Sequence, residues 1–261
     1  MNWRARRQMA YLSILLGIII LILLILILPR ITRTPTCFDG KQNGLETGVD
    51  CGGECVRACP TEVREIAVLW SRAFPVTQGV WNAMAYLENR NVGLTVKSMR
   101  YRFRFYDKDN VFISERTGQT FLPPNSRSFI FESSMDMGLR FPYRTVLEIS
   151  SPSLEWLRLD SKRQDVINQI TASDKVLDDS SGLPQLSARI NNSSVYDIQN
   201  VEVAALIYGS ENIVLAASRT ILDSLPANGS EPVFFSWPQP LSQQSVQIEI
   251  LTKIDALSLN L

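Results

Sequence analysis

Residues 99–107 read Met-Arg-Tyr-Arg-Phe-Arg-Phe-Tyr-Asp, and their alternation indicates the fold class of this part of the chain. Large apolar side chains alternate with three arginines, and a period of two residues is typical of a β-strand with one buried and one solvated face. We therefore expect Phe103 and Phe105 to lie in a hydrophobic core. The arginine row is interpreted as a solvated sheet face, which is its commonest role.

The strand is expected to end at Tyr106 and Asp107. Residues 108–110, which are Lys, Asp and Asn, supply turn chemistry, and apolar residues resume at 111–113. The sequence therefore predicts a β-hairpin here, with Asp107 shaping its turn.

The order of features around this strand recurs about 102 residues later, as in a duplicated unit. Residues 103–107 match 205–209, where Tyr208 takes the place of Tyr106. Four more segments match in the same order: 87–89 with 189–191, 122–125 with 225–228, 147–149 with 248–250, and 157–159 with 259–261.

Each unit has about 100 residues of short alternating strands separated by turn residues, which is the pattern of an immunoglobulin-like antiparallel sandwich. The predicted fold is mainly β, with a single N-terminal transmembrane helix, a short disulfide-rich segment, and two tandem sandwiches at 61–162 and 163–261. Neither unit contains cysteine, so hydrophobic burial must hold the sheets together. Four tryptophans are expected in the cores or between the domains: Trp70, Trp81, Trp156 and Trp237.

Residues 103–107 resemble the FxLYD type of β-sandwich, with Phe105 where that motif has Leu. The second unit keeps an aliphatic residue and Tyr208 but has Gly209 in place of Asp. The resemblance implies an extracytoplasmic immunoglobulin-like module, often anchored in a membrane, and it brings no catalytic residues.

An uncharged run of Leu and Ile extends from Ala10 to Leu28. As a helix it would span about 28 Å, which matches the hydrocarbon core of a bilayer. A buried helix of a soluble protein would not be apolar on every side. A cleaved signal peptide is the nearer alternative, but Pro-Arg-Ile-Thr-Arg at 29–33 offers no small-residue cleavage pattern, and the residues before Cys37 do not form a lipobox.

The flanking charges orient this helix only weakly, because arginines lie on both sides of it. The four cysteines decide the orientation, since their clustering just beyond the helix suits an oxidising compartment. We expect a cytoplasmic N-terminus at 1–9, a transmembrane helix at 10–29, a cysteine-rich juxtamembrane segment at 30–60, and extracytoplasmic domains beyond it.

The cysteine-rich segment is too short to build a core, so two disulfides among Cys37, Cys51, Cys55 and Cys59 are expected to hold it. Three pairings are possible. A four-thiolate zinc site is the alternative, although the spacing departs from paired Cys-x2-Cys knuckles. Calcium binding is a further possibility, but the spacing of the candidate oxygen ligands favours turn capping: Asp39, Asn43, Glu46 and Asp50.

The string Cys-x-Asp-Gly-x-Gln-Asn-Gly-x-Glu-Thr-Gly-Val-Asp-Cys-Gly-Gly-x-Cys resembles a small cysteine-rich signature of extracellular and surface proteins. Membrane-anchored proteins of uncultivated bacterial lineages are among them. The resemblance implies a disulfide-stapled extracellular module without a defined activity.

The composition excludes several functions. The chain has no histidine, so Ser-His and Cys-His nucleophile pairs and imidazole metal sites are excluded. No phosphate loop, nucleophile elbow or metal motif is recognisable, and we predict no catalytic, cofactor-binding or metal-binding residue and no small-molecule substrate. Its 26 basic and 26 acidic residues balance, without a basic block beyond residue 33, so nucleic acid is not an expected partner.

The predicted function is a non-enzymatic binding or structural module of the cell envelope. Its expected partners are the lipid bilayer and envelope or surface proteins. An accessory subunit of a membrane or secretion complex is the first alternative. A hydrolase that works without histidine is the second, since Ser-Lys and paired-carboxylate sites need none.

Overall fold

The computed structural model describes residues 3–31, 34–150, 154–180, 182–259 and 261. These residues form two α-helices, α1 (Trp3–Ile31) and α2 (Ser161–Asn168), and thirteen strands. The strands up to α2 are β1 (Ala67–Thr77), β2 (Val80–Asn89), β3 (Leu94–Tyr106), β4 (Phe112–Leu122), β5 (Ser126–Asp136), β6 (Arg144–Ile149) and β7 (Trp156–Arg158). Those after it are β8 (Ile170–Asp178), β9 (Gln185–Asn192), β10 (Ile198–Tyr208), β11 (Val214–Leu225), β12 (Gly229–Ser236) and β13 (Gln247–Lys253).

Helix α1 contains the apolar run and extends beyond it. Its segment Arg6–Leu28 has a mean hydropathy of 3.3 and no buried residue, so by length and composition it could cross a membrane. The helix begins at Trp3, before the span expected at 10–29. Arginine, glutamine and methionine at 6–9 are good helix formers, which explains why the helix continues past the apolar residues.

The strands form four antiparallel sheets, which confirms the predicted mainly β fold. In the first sandwich, the sheet β1-β2-β5 faces the sheet β4-β3-β6, and β7 pairs with β3. In the second, β8-β9-β12 faces β11-β10-β13. Each interior is filled by apolar side chains, including Phe103 and Phe105 in the first and Ile190, Val203 and Ile207 in the second.

The two sandwiches repeat the same strand order, with β3 corresponding to β10. Tyr106 and Tyr208 occupy equivalent places, because each is the last residue of its strand and follows a register shift against the next strand of the hairpin. Asn125 and Asn228 are also equivalent: both have positive φ, and each backbone N–H donates to a carbonyl 34 residues earlier, that of Asn91 or Ser194.

Two segments of the repeat lie in a different register from the one the sequence indicated. Asn89 corresponds to Asn192 and not to Asn191, because the side chains of Asn89 and Asn192 make the same contacts. Leu147 pairs with Phe103 of β3, and Ile250 pairs with Ala205, the equivalent residue of β10. Leu147 therefore corresponds to Ile250, two residues beyond the match at 248. Loops of unequal length between the strands explain both shifts.

Each of these two asparagines closes the end of a sandwich core. The Asn89 amide nitrogen donates to the carbonyls of Leu94 (2.9 Å) and Pro123 (2.7 Å), and its oxygen accepts from the Asn91 N–H (3.0 Å). Asn192 donates to three carbonyls and accepts from the Ser194 N–H (2.9 Å). Both side chains are buried, so each amide satisfies backbone groups that water cannot reach.

The two sandwiches are packed face to face along a joint. The outer face of β1-β2-β5 contacts the outer face of β11-β10-β13 through a third apolar cluster. Its members come from both sandwiches: Phe74, Met84, Tyr86, Phe129 and Phe131 from the first, and Ala204, Leu206, Val214, Ala217 and Leu251 from the second. The four sheets therefore form one continuous stack with three apolar layers.

The cysteine-rich segment, which we call the collar (34–62), is held by the disulfides Cys37–Cys55 and Cys51–Cys59. It is bonded to the first sandwich, since the Ala58 N–H donates to the Trp156 carbonyl (2.9 Å) and the Arg158 N–H donates to the Val56 carbonyl (2.6 Å). The collar thus extends the sheet beyond β7.

Helix α2 was not predicted from the sequence. Its N-terminus is capped by Asp160, whose carboxylate accepts from the Arg163 N–H at 2.9 Å. The position at which the sequence analysis divided the two units, 162/163, lies within this helix.

The buried asparagines give a stability test. Asn192→Ala removes the donor to three carbonyls and the acceptor of one N–H in a dry site, so we expect a loss of about 2 kcal/mol in the free energy of unfolding. Asn191→Ala removes one partly exposed hydrogen bond to Ser173 and should cost about 0.5 kcal/mol. Chemical denaturation of the full chain in detergent measures both. Equal losses would contradict the register and the role assigned to Asn192.

Candidate functional site

The most deeply buried ionisable side chain, Lys253, belongs to the joint. It is 2% exposed, its ammonium lies 3.6 Å from Glu202, and it also contacts the Thr120 hydroxyl and the Phe121 ring. Burial lowers the pKa of Lys253, and the neighbouring Glu202 carboxylate opposes that shift. A lysine enclosed by both sandwiches cannot reach a substrate, so its position is structural.

A second polar group in the joint is Glu249. Its two oxygens accept from the hydroxyls of Tyr86 (2.7 Å) and Tyr208 (2.6 Å), one from each sandwich. Burial raises the pKa of both phenols, and their hydrogen bonds to this carboxylate raise it further. Tyr208, the tyrosine that the second unit shares with the first, therefore helps to hold the sandwiches together.

The feature that stands out on the surface is the loop between β5 and β6. It reads Met-Gly-Leu-Arg-Phe-Pro-Tyr at 137–143 and lies at the end of the first sandwich where β3 finishes. Met137 and Pro142 are buried and anchor it, and the Met137 N–H donates to the Gly79 carbonyl at 2.8 Å. Phe141 packs edge-on against Trp81, with ring centroids 4.7 Å apart.

Asp107 fixes this loop to the β3–β4 hairpin. Its carboxylate accepts from the Val111 N–H (2.9 Å) and the Asp109 N–H (3.0 Å), and it pairs with Arg140 at 2.5 Å. Arg140 also donates to the Phe112 carbonyl at 2.9 Å. The hydrogen bond from Val111 and the pairing with Arg140 hold the pKa of Asp107 below its ordinary 3.8.

The result is an apolar surface that is held in place yet open to solvent. We call it the distal aromatic surface, and its members are Val111 (51% exposed), Phe112 (47%), Leu139 (93%), Phe141 (63%) and Tyr143 (74%). Two concavities of about 360 Å³ each flank Phe141. A contiguous patch of large, solvent-exposed apolar side chains on a folded protein is typical of an interaction site.

The surface lies far from the collar. The collar is bonded through β7 to the start of β3, at Leu94–Val96, whereas the aromatic loop lies beside its last residues. Thirteen strand residues separate the two ends, a distance of about 40 Å.

The residues singled out at 103–107 lie in three separate places. Phe103 and Phe105 are in the core, and Tyr106 lies on the outer sheet face against Phe112 and under the Arg144 guanidinium. Only Asp107 contributes to the distal aromatic surface, through Arg140. Leu139, Phe141 and Tyr143 were missed, and the only sequence signal for them is an apolar segment interrupted by Gly and Pro.

The collar does not supply the thiolates of a metal site. Ligand atoms of Cys37, Glu46 and Cys55 lie within 4.8 Å of one another, but the two sulfurs are joined in a disulfide. The other acidic side chains shape turns: Asp50 accepts from the N–H groups of Asp39 (2.9 Å) and Gly40 (3.0 Å).

No family model and no curated protein matches the chain, so the resemblance to the FxLYD type stays a prediction. Among solved structures, the chain is similar to a transglutaminase of red sea bream, with 9% identity, a TM-score of 0.25, and coverage of 74% of this chain and 30% of the other. It is also similar to a β-glucuronidase of glycoside hydrolase family 2, with 11% identity, a TM-score of 0.25, and coverage of 87% and 28%. The chain thus spans less than a third of either protein.

The contacts of Asp107 with Arg140 and with the Val111 and Asp109 N–H groups, which we call the clamp, give a second test. Asp107→Asn removes the charge that holds Arg140, so backbone amides at 137–143 should exchange with deuterium several times faster at pH 6. A carboxylate with a lowered pKa contributes above its unfolded pKa and loses that contribution as the pH falls through the folded value. The unmodified chain should therefore loosen in the same way only below pH 3.8.

Asp109→Asn is the control, since it removes a neighbouring carboxylate outside this clamp. Hydrogen exchange of the full chain, corrected for the intrinsic pH dependence, measures the effect. Equal exchange in the two variants would show that Asp107 does not hold the loop.

Proposed function

We propose that this chain is a non-enzymatic, membrane-anchored extracytoplasmic binding module that presents the distal aromatic surface to an envelope protein. Helix α1 would serve as the anchor, with residues 1–9 in the cytoplasm and everything beyond the helix outside. Two observations support this placement: the run Arg6–Leu28 with a mean hydropathy of 3.3, and the two disulfides directly after the helix.

The distal aromatic surface carries the proposal. Its aromatic residues Phe112, Phe141 and Tyr143, with the neighbouring Arg140, are of the types enriched at the centre of protein interfaces. The charged residues that line the concavity beside Phe141 sum to zero, so an apolar protein surface suits it better than a charged one: Asp107, Lys108, Asp109 and Arg140. The clamp and the Trp81 contact hold the side chains in place before binding, which lowers the entropy lost on association.

The joint supports a role in presentation. Because three apolar layers and the bonded collar connect all four sheets, the ectodomain holds its distal end at a fixed distance from the collar.

The topology is tested with reporters. An enzyme that is active only outside the cytoplasm, fused after Leu261, should be active, and the same reporter fused before Met1 should be inactive. A reporter that is cytoplasmic at the C-terminus would overturn the orientation.

Binding is tested by photo-crosslinking from position 143 in membranes that contain the full chain. We expect one envelope protein to be captured and its capture to fall at least tenfold in Leu139→Ser/Phe141→Ser, since losing two anchors of this kind costs about 2–4 kcal/mol. Val195→Ser/Phe234→Ser is the matched control, because both residues are 70% exposed apolar side chains of the second sandwich. Capture that is equal in both variants would refute the proposal.

A further inference from the structure

The outer face of the sheet β4-β3-β6 occupies the same position in the repeat as the face that forms the joint in the second unit. β3 corresponds to β10, so Arg102 and Arg104 take the places of Ala204 and Leu206. Glu148 of β6 pairs with Arg102, and Leu251 of β13 pairs with Ala204. Glu148 therefore takes the place of Leu251. The face that receives a neighbouring sandwich in one unit is therefore charged and open in the other.

The charges of this face do not balance. Arg104 binds Glu148 at 2.9 Å and Glu115 at 3.5 Å, and Arg102 lies 3.6 Å from the same Glu115. Within the described part of the chain, Arg100 makes no ion pair. The face thus has two carboxylates, those of Glu115 and Glu148, for three guanidinium groups, and both carboxylates pair with Arg104.

A groove of about 640 Å³ lies at the uncompensated end of the row. Arg100, Arg102 and Glu148 line it, so its walls carry two guanidinium groups and one carboxylate. Thr117, Gln119 and Ser150 add hydroxyl and amide groups to its walls. A groove with excess positive charge and several hydrogen-bond donors suits an anionic ligand.

We propose that Arg100 and Arg102 bind an extended acidic segment of another protein, with carboxylates on alternate residues. The two arginines are two residues apart on one strand, so their Cα atoms lie about 7 Å apart, which is also the spacing of alternate side chains in an extended peptide. Arg104 indicates the preferred anion, since it is already bound by one carboxylate from each flanking strand. The guanidinium fork can bind each incoming carboxylate through two hydrogen bonds.

This site is independent of the distal aromatic surface. It lies on a sheet face, and its partner is recognised by charge rather than by apolar contact. The failure of either site in its own experiment leaves the other unaffected.

The test uses the full chain in nanodiscs of uncharged lipid and a labelled peptide of five Glu-Ser repeats. We expect Arg100→Gln/Arg102→Gln to weaken binding of this peptide at least tenfold at 50 mM salt, and we expect 200 mM salt to weaken binding to the unmodified chain. The control Arg90→Gln/Arg189→Gln removes two exposed arginines elsewhere and should change the affinity less than twofold. Glu148→Gln frees the arginine row and should strengthen binding about threefold, which is informative even if the double variant folds poorly.

Three results would overturn the proposal. The first is equal binding of a peptide of five Gln-Ser repeats. The second is a variant series that does not follow the charges: either the control and the double variant lose affinity equally, or Glu148→Gln does not change the affinity. The third is binding of inorganic polyphosphate without binding of the Glu-Ser peptide, which would make the groove a phosphate site.

Discussion

The architecture depends on burial of both faces of the strands at the joint. In an isolated sandwich, each sheet turns one face to the core and the other to water. Here the middle strands β2 and β10 carry apolar side chains on both faces, and most of their residues are buried. Separating the sandwiches would expose Met84, Phe129 and Leu206 and leave Lys253 and Glu249 without their partners across the joint. The two units therefore behave as one body.

The way the units associate also shows how the two outer faces of the stack differ from the faces at the joint. The joint brings together two different faces of the repeat: the outer face of β1-β2-β5 from the first unit and the outer face of β11-β10-β13 from the second. A contact between unlike faces is heterologous, and such a contact does not close on itself. The two outer faces of the stack carry charged side chains. Arg102, Arg104 and Glu148 cover one end, and Ser187 and Arg189 take the places of Met84 and Tyr86 at the other. Neither outer face thus offers the apolar surface that the joint uses.

The sequence was informative where one face of a strand is wet. The alternation at 99–107 identified the fold class and the core residues Phe103 and Phe105, and the apolar run identified α1. The sheet faces that form the joint were not identified, although the nearly continuous apolar stretches at 83–87 and 203–208 are what strands buried on both faces require. The exact register of the repeat and the pairing of the cysteines depend on contacts distant in sequence. The distal aromatic surface was missed because an irregular loop has no period.

The placement of the collar has a mechanical consequence. It is bonded to the start of β3 through β7, and the distal aromatic surface lies at the other end of the same strand. A pull between the collar and a partner bound at that surface would run along β3. The hydrogen bonds from β3 to β4 and β6 lie perpendicular to that direction, so they would be sheared together and not opened one after another. The first sandwich is thus built to resist tension along its length.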